Sequence, residues 1–145
     1  MNTIYKGIAA AIGAAVSFIT GLPPLLLVLL GAMTLDYVTG LMCGALGVSP
    51  KTEGGGLSSG AAFKGLMRKC VILLVVALAA LVDYAVARGA GVTFSAPTGA
   101  VCLWFIASEG VSVLENGAEM GVPVPEVLKR ALEVMRSAGE GKTDD

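Results

Sequence analysis

Asp36, Asp83 and Glu109 are acidic side chains set inside long apolar runs, and that placement bounds the chemistry open to the chain. Asp36 lies within Leu25 to Gly47, a stretch without Lys or Arg; Asp83 closes the run that begins at Cys70; Glu109 interrupts the run from Ala96 to Leu114. A charge at the centre of a lipid-spanning helix costs roughly 2.5–3.5 kcal/mol, so such carboxylates face a partner or a water-filled path. Transport or passage across a bilayer suits them better than turnover of a substrate.

Helical spacing sharpens this reading. Asp36, Gly40, Cys43 and Gly47 share one face, with Thr39 close by, and Gly40 with Gly44 forms G-x-x-x-G, a spacing that lets helix backbones approach closely in lipid. Asp36 is then either a helix-contact or pore-facing group, or a neutral, hydrogen-bonded structural residue. Water around it would favour its ionised form. Glu109 and Ser112 begin a polar row that continues through Asn116 and Glu119, which suits a water-facing wall; Glu115 and Glu119 fit equally a helix leaving the membrane. Asp83 falls near the outer interface, where charge costs little. The candidate pore-lining or helix-packing residues are therefore Asp36, Thr39, Gly40, Gly44, Asp83, Glu109 and Ser112.

Catalysis finds little support. The chain has no histidine, which removes His-based general bases, triads and most zinc sites. Cys43, Cys70 and Cys102 fall singly in separate apolar runs without C-x-x-C, and read as small packing residues. Gly60 is followed by Ala61, so no phosphate-binding G-x-x-x-x-G-K-[ST] loop is present. No nucleophile stands beside a base. The expectation is a non-enzymatic protein without cofactor or metal.

The elements that must position these residues follow from composition. Of 145 residues, 55% are hydrophobic and only 14% charged, with a mean hydropathy of +0.81. A soluble domain carries about a quarter charged residues. The shortfall leaves lipid to cover the apolar side chains. A net charge of −1 without a basic stripe argues against nucleic acid as partner.

Between Gly7 and Gly47 the one charge is Asp36. As a single helix this stretch would be about 60 Å long, twice the hydrocarbon thickness, so it must turn, and Gly21-Leu22-Pro23-Pro24 is the only strong breaker. The fold expected is an all-α integral membrane protein of about four transmembrane helices, the first one short, plus a C-terminal amphipathic helix. Residues 1–21 hold the N-terminus and the short first helix, read as retained rather than cleaved. Its small residues Gly13, Ser17 and Gly21 either pack against a neighbour or are incidental in an Ala-rich helix. The second membrane helix spans 22–47, a Gly-rich cytoplasmic loop read as a flexible linker spans 48–64, and the third helix spans 65–88. An outer connector at 89–95 leads to the fourth helix, 96–117. Residues 118–145 form the amphipathic helix and tail, with Leu128, Ala131, Leu132 and Met135 opposite Lys129, Arg130, Glu133 and Arg136. That helix lies on the membrane surface or pairs with its copies.

With both termini in the cytoplasm, every Lys and Arg except Arg88 falls on the inner side. This matches the enrichment of Lys and Arg in cytoplasmic loops and favours an even number of spans.

Three segments carry a family resemblance. They are Leu35 to Gly40 (LDYVTG); Ser58 to Lys69 (SSGAAFKGLMRK), leading into an apolar run that ends at Val82-Asp83; and Glu115 to Pro125 (ENGAEMGVPVP), followed by the amphipathic helix. In this order and spacing they resemble the phage holin family that includes clostridial toxin-secretion holins. The first helix resembles the family only in being short and apolar. The resemblance implies a protein of the bacterial cytoplasmic membrane whose partners are the lipid bilayer and its own copies. It would form homo-oligomers and open lesions through which an endolysin or toxin is released as cargo, without necessarily binding it. No catalytic residue is implied. The alternatives are a subunit of a small cation-selective channel or transporter, which passes ions but not protein, and a membrane scaffold, which passes neither.

Overall fold

The computed structural model describes residues 2–89 and 97–141. Most of the expected outer connector and the tail from 142 onward lie outside these residues. The described chain is helical: α1 (Asn2–Thr20), α2 (Pro24–Ala45), α3 (Ser59–Gly89), α4 (Pro97–Glu119) and α5 (Glu126–Gly139).

Local chemistry sets the boundaries. Pro24 occupies the first turn of α2, where a missing N–H costs nothing, and Pro23 before it is extended at φ −55° and ψ 139°. At the other end Gly47 takes φ 75°, so that Val48 N–H reaches the Cys43 carbonyl (2.9 Å) and Gly47 N–H the Gly44 carbonyl (3.2 Å). This left-handed glycine closes the helix by satisfying carbonyls that would otherwise be orphaned. Gly121 ends α4 in the same way. Ser58 starts α3, its hydroxyl accepting from Ala61 N–H at 3.4 Å, so the helix begins within the segment read from sequence as loop.

Three helices, α2, α3 and α4, are long and apolar enough to cross a membrane; α1 contributes a shorter apolar stretch, Ile4–Ala14. At 31 residues α3 is about 46 Å long, so part of it must project beyond a hydrocarbon layer of about 30 Å. The buried positions gather on one stripe of each helix: Leu29, Met33, Cys43 and Gly44 on α2; Lys69, Ile72, Val76 and Ala79 on α3; and Cys102, Ile106, Ala107, Glu109 and Asn116 on α4. Their apolar members pack as one core of Leu29, Met33, Ile72, Val76, Cys102 and Ile106. Outside it, Leu74, Leu78 and Leu81 of α3 are 60–68% exposed, a contiguous apolar face that only lipid or other helices can cover. Among the described residues α1 shares no extensive face with another helix.

The helix α5 differs from its expected place. It turns back after Pro125 and runs antiparallel along α4. Leu132 lies over Gly110, where a Cβ would meet Leu132 Cδ2 at 2.8 Å, and Gly139 lies over Ala100 and Trp104. The absence of side chains at Gly110 and Gly139 is what permits so close a fit. Arg136 completes it, its guanidinium 5.8 Å from the Trp104 ring centre.

Candidate functional site

One turn beyond the apolar core, the same stripes of α2, α3 and α4 carry polar residues. Lys69 of α3 donates from Nζ to Asp36 Oδ2 of α2 at 2.8 Å and to Glu109 Oε2 of α4, tying three helices at one ammonium group. Glu109 is 2% exposed and Lys69 8%, so the attraction is screened little by solvent. An uncompensated charge here would face a desolvation penalty of several kcal/mol, which pairing offsets.

Asn116 extends the cluster. Its Nδ2 donates to Thr39 Oγ1 (2.9 Å), to Asp36 Oδ1 (3.2 Å) and weakly to the Asp36 carbonyl (3.4 Å). Thr39 Oγ1 donates to the Leu35 carbonyl at 2.8 Å, and Cys43 Sγ approaches the Asn116 carbonyl at 3.3 Å. Asp36 is joined to Glu109 through Lys69, and Cys43, two turns further along α2, approaches Asn116, two turns further along α4, so α2 and α4 run parallel. A fourth charge, Lys51, stands 4.0 Å from Asp36 Oδ1 at the loop side. Asp36, Glu109, Lys69 and Lys51 together are formally neutral. A cavity of about 70 Å³ bounded by α2, α3 and the Gly-rich loop reaches both Asp36 and Lys69, room for water rather than for a metabolite.

Asp36, Thr39, Gly40 and Glu109 are thus brought together. A Cβ on Gly40 would sit 3.7 Å from Asn116 Nδ2, so this glycine faces the cluster. Gly44 instead faces Leu57, whose Cα would lie 3.2 Å from an added Cβ. Both glycines of the G-x-x-x-G pair meet neighbours within their own chain. Asp83 stands apart: its Oδ2 accepts from Thr98 N–H at 3.2 Å, an anion at the N-terminus of α4 where the helix dipole favours it. Ser112 is half-buried, one turn beyond Glu109 and outside the hydrogen-bonded cluster.

Sequence reasoning missed Lys69 and Lys51 as partners of Asp36, counting both only as inner-side charges. The available signal was periodicity, since Lys69 precedes Ile72, Val76 and Ala79 on the stripe they form. The arrangement can neutralise buried charge and clamp three helices. It presents no nucleophile beside a base.

Comparison with known proteins adds a family. The pattern of the bacteriophage holin family matches residues 13–137. An uncharacterized protein of Halalkalibacterium halodurans is 34% identical, over 94% of this chain and 96% of its own. An uncharacterized protein of Listeria monocytogenes is 35% identical over 91% of this chain and 86% of its own. A protein of Bacillus phage phi105 described as a probable holin is 36% identical over 61% of this chain and 62% of its own. No solved structure matches.

Proposed function

We propose that this chain, which belongs to the bacteriophage holin family, oligomerises in the bacterial cytoplasmic membrane and opens lesions through which an endolysin or a toxin leaves the cell. The observation that carries the reading is the pairing of this family with three long apolar helices whose internal charges are already matched to one another. Such a chain enters lipid as a neutral bundle and keeps its large apolar faces for lipid and for further copies. Gly7 and Gly13 of α1 face open space, which supports close packing of α1 between copies. Before assembly both termini lie in the cytoplasm, where the excess of Lys and Arg belongs.

A small cation-selective channel is the competing reading. Free carboxylates along a path would favour it, but Lys69 occupies both Asp36 and Glu109.

Induction in a bacterium with and without a cytoplasmic muralytic enzyme separates the two. A sudden fall in turbidity is expected only with the enzyme present, accompanied by loss of membrane potential. Loss of potential while the enzyme stays inside would favour the channel. In the same cells before lysis, and in a variant lacking the native cysteines, an impermeant thiol reagent added outside should reach a cysteine at Gly89 but not one at Gly55. Early labelling at Gly55 would refute the orientation.

A further inference from the structure

The buried carboxylates cannot also form a broad water-facing wall, because Lys69 and Asn116 already occupy them. An aqueous lesion nevertheless needs a polar lining, and the charged face of α5 offers one. Lys129, Glu133 and Arg136 follow one another on that face, with Glu126 and Glu140 flanking them. Lys129 pairs with Glu126 at 3.4 Å and Arg136 with Glu140 at 3.4 Å, and the Lys129 and Arg136 side chains remain about half exposed.

The position of α5 makes this face informative. Gly139 reaches Ala100 and Trp104, near the N-terminal end of α4, while Leu132 reaches Gly110 at its middle. The charged residues of α5 therefore lie level with the body of a helix long and apolar enough to span the membrane. Facing lipid there, each charge would cost roughly 2.5–3.5 kcal/mol near the centre, several times over for the set. Facing water, the cost vanishes. An open groove between the two helices already gathers Glu115 of α4 with Lys129 and Glu133 of α5, so α4 contributes to the same polar side. The rest of α5 suits such a position: Val127 and Val134 are 80% and 69% exposed on an apolar strip beside the one packed on α4.

Resting on the lesion-forming reading above, we infer that α5 docked along α4 is the water-facing wall of the open lesion, with Lys129, Glu133 and Arg136 turned to the lumen. Docking at this depth requires water, so α5 stays outside the hydrocarbon until copies assemble. Docking and opening are then one event. Gly139 is the contact that sets it, since any side chain there runs into the Ala100 carbonyl (2.7 Å) and the Trp104 backbone nitrogen (2.8 Å).

Two full-length variants test this in the induction assay. Gly139→Leu blocks docking at the end of the chain, away from the three-helix core, and should accumulate in the membrane yet lose release of the muralytic enzyme by at least tenfold. Lys129→Leu/Glu133→Leu leaves the Leu132 and Gly139 contacts and the Arg136–Trp104 contact with α4 intact but removes the centre of the polar lining, and should show the same loss. In a chain free of native cysteines, Gly110→Cys/Leu132→Cys, where the shortened side chain at 132 makes room for one at 110, should cross-link only as membrane potential collapses. Parental release by both variants, or complete cross-linking while the potential is intact, would overturn the assignment of α5 and leave the holin reading standing. Failure of the parent to release enzyme would remove both.

Discussion

Lys69→Met should destabilise the bundle by about 3–5 kcal/mol, the cost of leaving buried charge without its partner. The change deletes the one cation shared by Asp36 and Glu109 and leaves two carboxylates facing a methionine. Lower accumulation in the membrane and unfolding at lower denaturant in detergent would report it. The three sites are not equivalent. Asp36→Asn keeps its shape and its contact with Asn116, while Glu109 still neutralises Lys69, so that variant should lose no more than about 1 kcal/mol. Asp36→Leu removes the acceptor altogether and should fall between the two. Combining Lys69→Met with Asp36→Asn and Glu109→Gln removes all three charges and should recover most of the loss, because a neutral cluster carries no ionic desolvation penalty. Parental stability of Lys69→Met alone would show that the cluster does not hold the helices together.

Gly55→Val should cost about 2–4 kcal/mol, from backbone strain together with a clash that no side-chain rotation relieves. Gly55 has φ 75°, and a Cβ there would run directly into the Gly47 carbonyl. Its own carbonyl accepts from Ser49 N–H at 2.9 Å, and Thr52 Oγ1 donates to the Gly56 carbonyl at 2.7 Å, so the segment is folded onto the end of α2. Gly54 supplies the control. It has a similar φ of 81° but open space where a Cβ would go, so Gly54→Val should lose only the strain, about 1–2 kcal/mol. Equal losses at the two positions, measured by unfolding in detergent, would mean that the Gly47 contact contributes nothing. The loop also carries Lys51 toward Asp36, so Gly55→Val should leave Asp36 more accessible to solvent.

These residues show which features could be read before the structure was known. The membrane-spanning helices follow from apolar run length and from Pro23-Pro24, because hydrophobic thickness and a missing N–H act locally. The face of Asp36, Thr39 and Gly40 is equally local, a consequence of 3.6 residues per turn. The partner of Asp36 is not local. Lys69 lies 33 positions away at the edge of an apolar run, where a lysine ordinarily marks the membrane surface. Composition likewise suggested a free linker at Gly54-Gly55-Gly56, whereas positive φ at the first two glycines is what folds it back on α2. The place of α5 was open for a different reason. Its wide apolar arc fits a membrane surface, a second copy or α4, and the glycines that decide between them, Gly110 and Gly139, are conspicuous only once the two helices are paired.

The passage of folded protein is the property that separates a lesion from a small channel. Liposomes holding both a small dye and a folded muralytic enzyme, with the purified chain reconstituted at increasing density, measure it directly. Above a threshold density dye and enzyme should escape together, and Gly139→Leu should retain the enzyme. Escape of dye at every density while the enzyme remains inside would contradict lesion formation and identify a small channel instead.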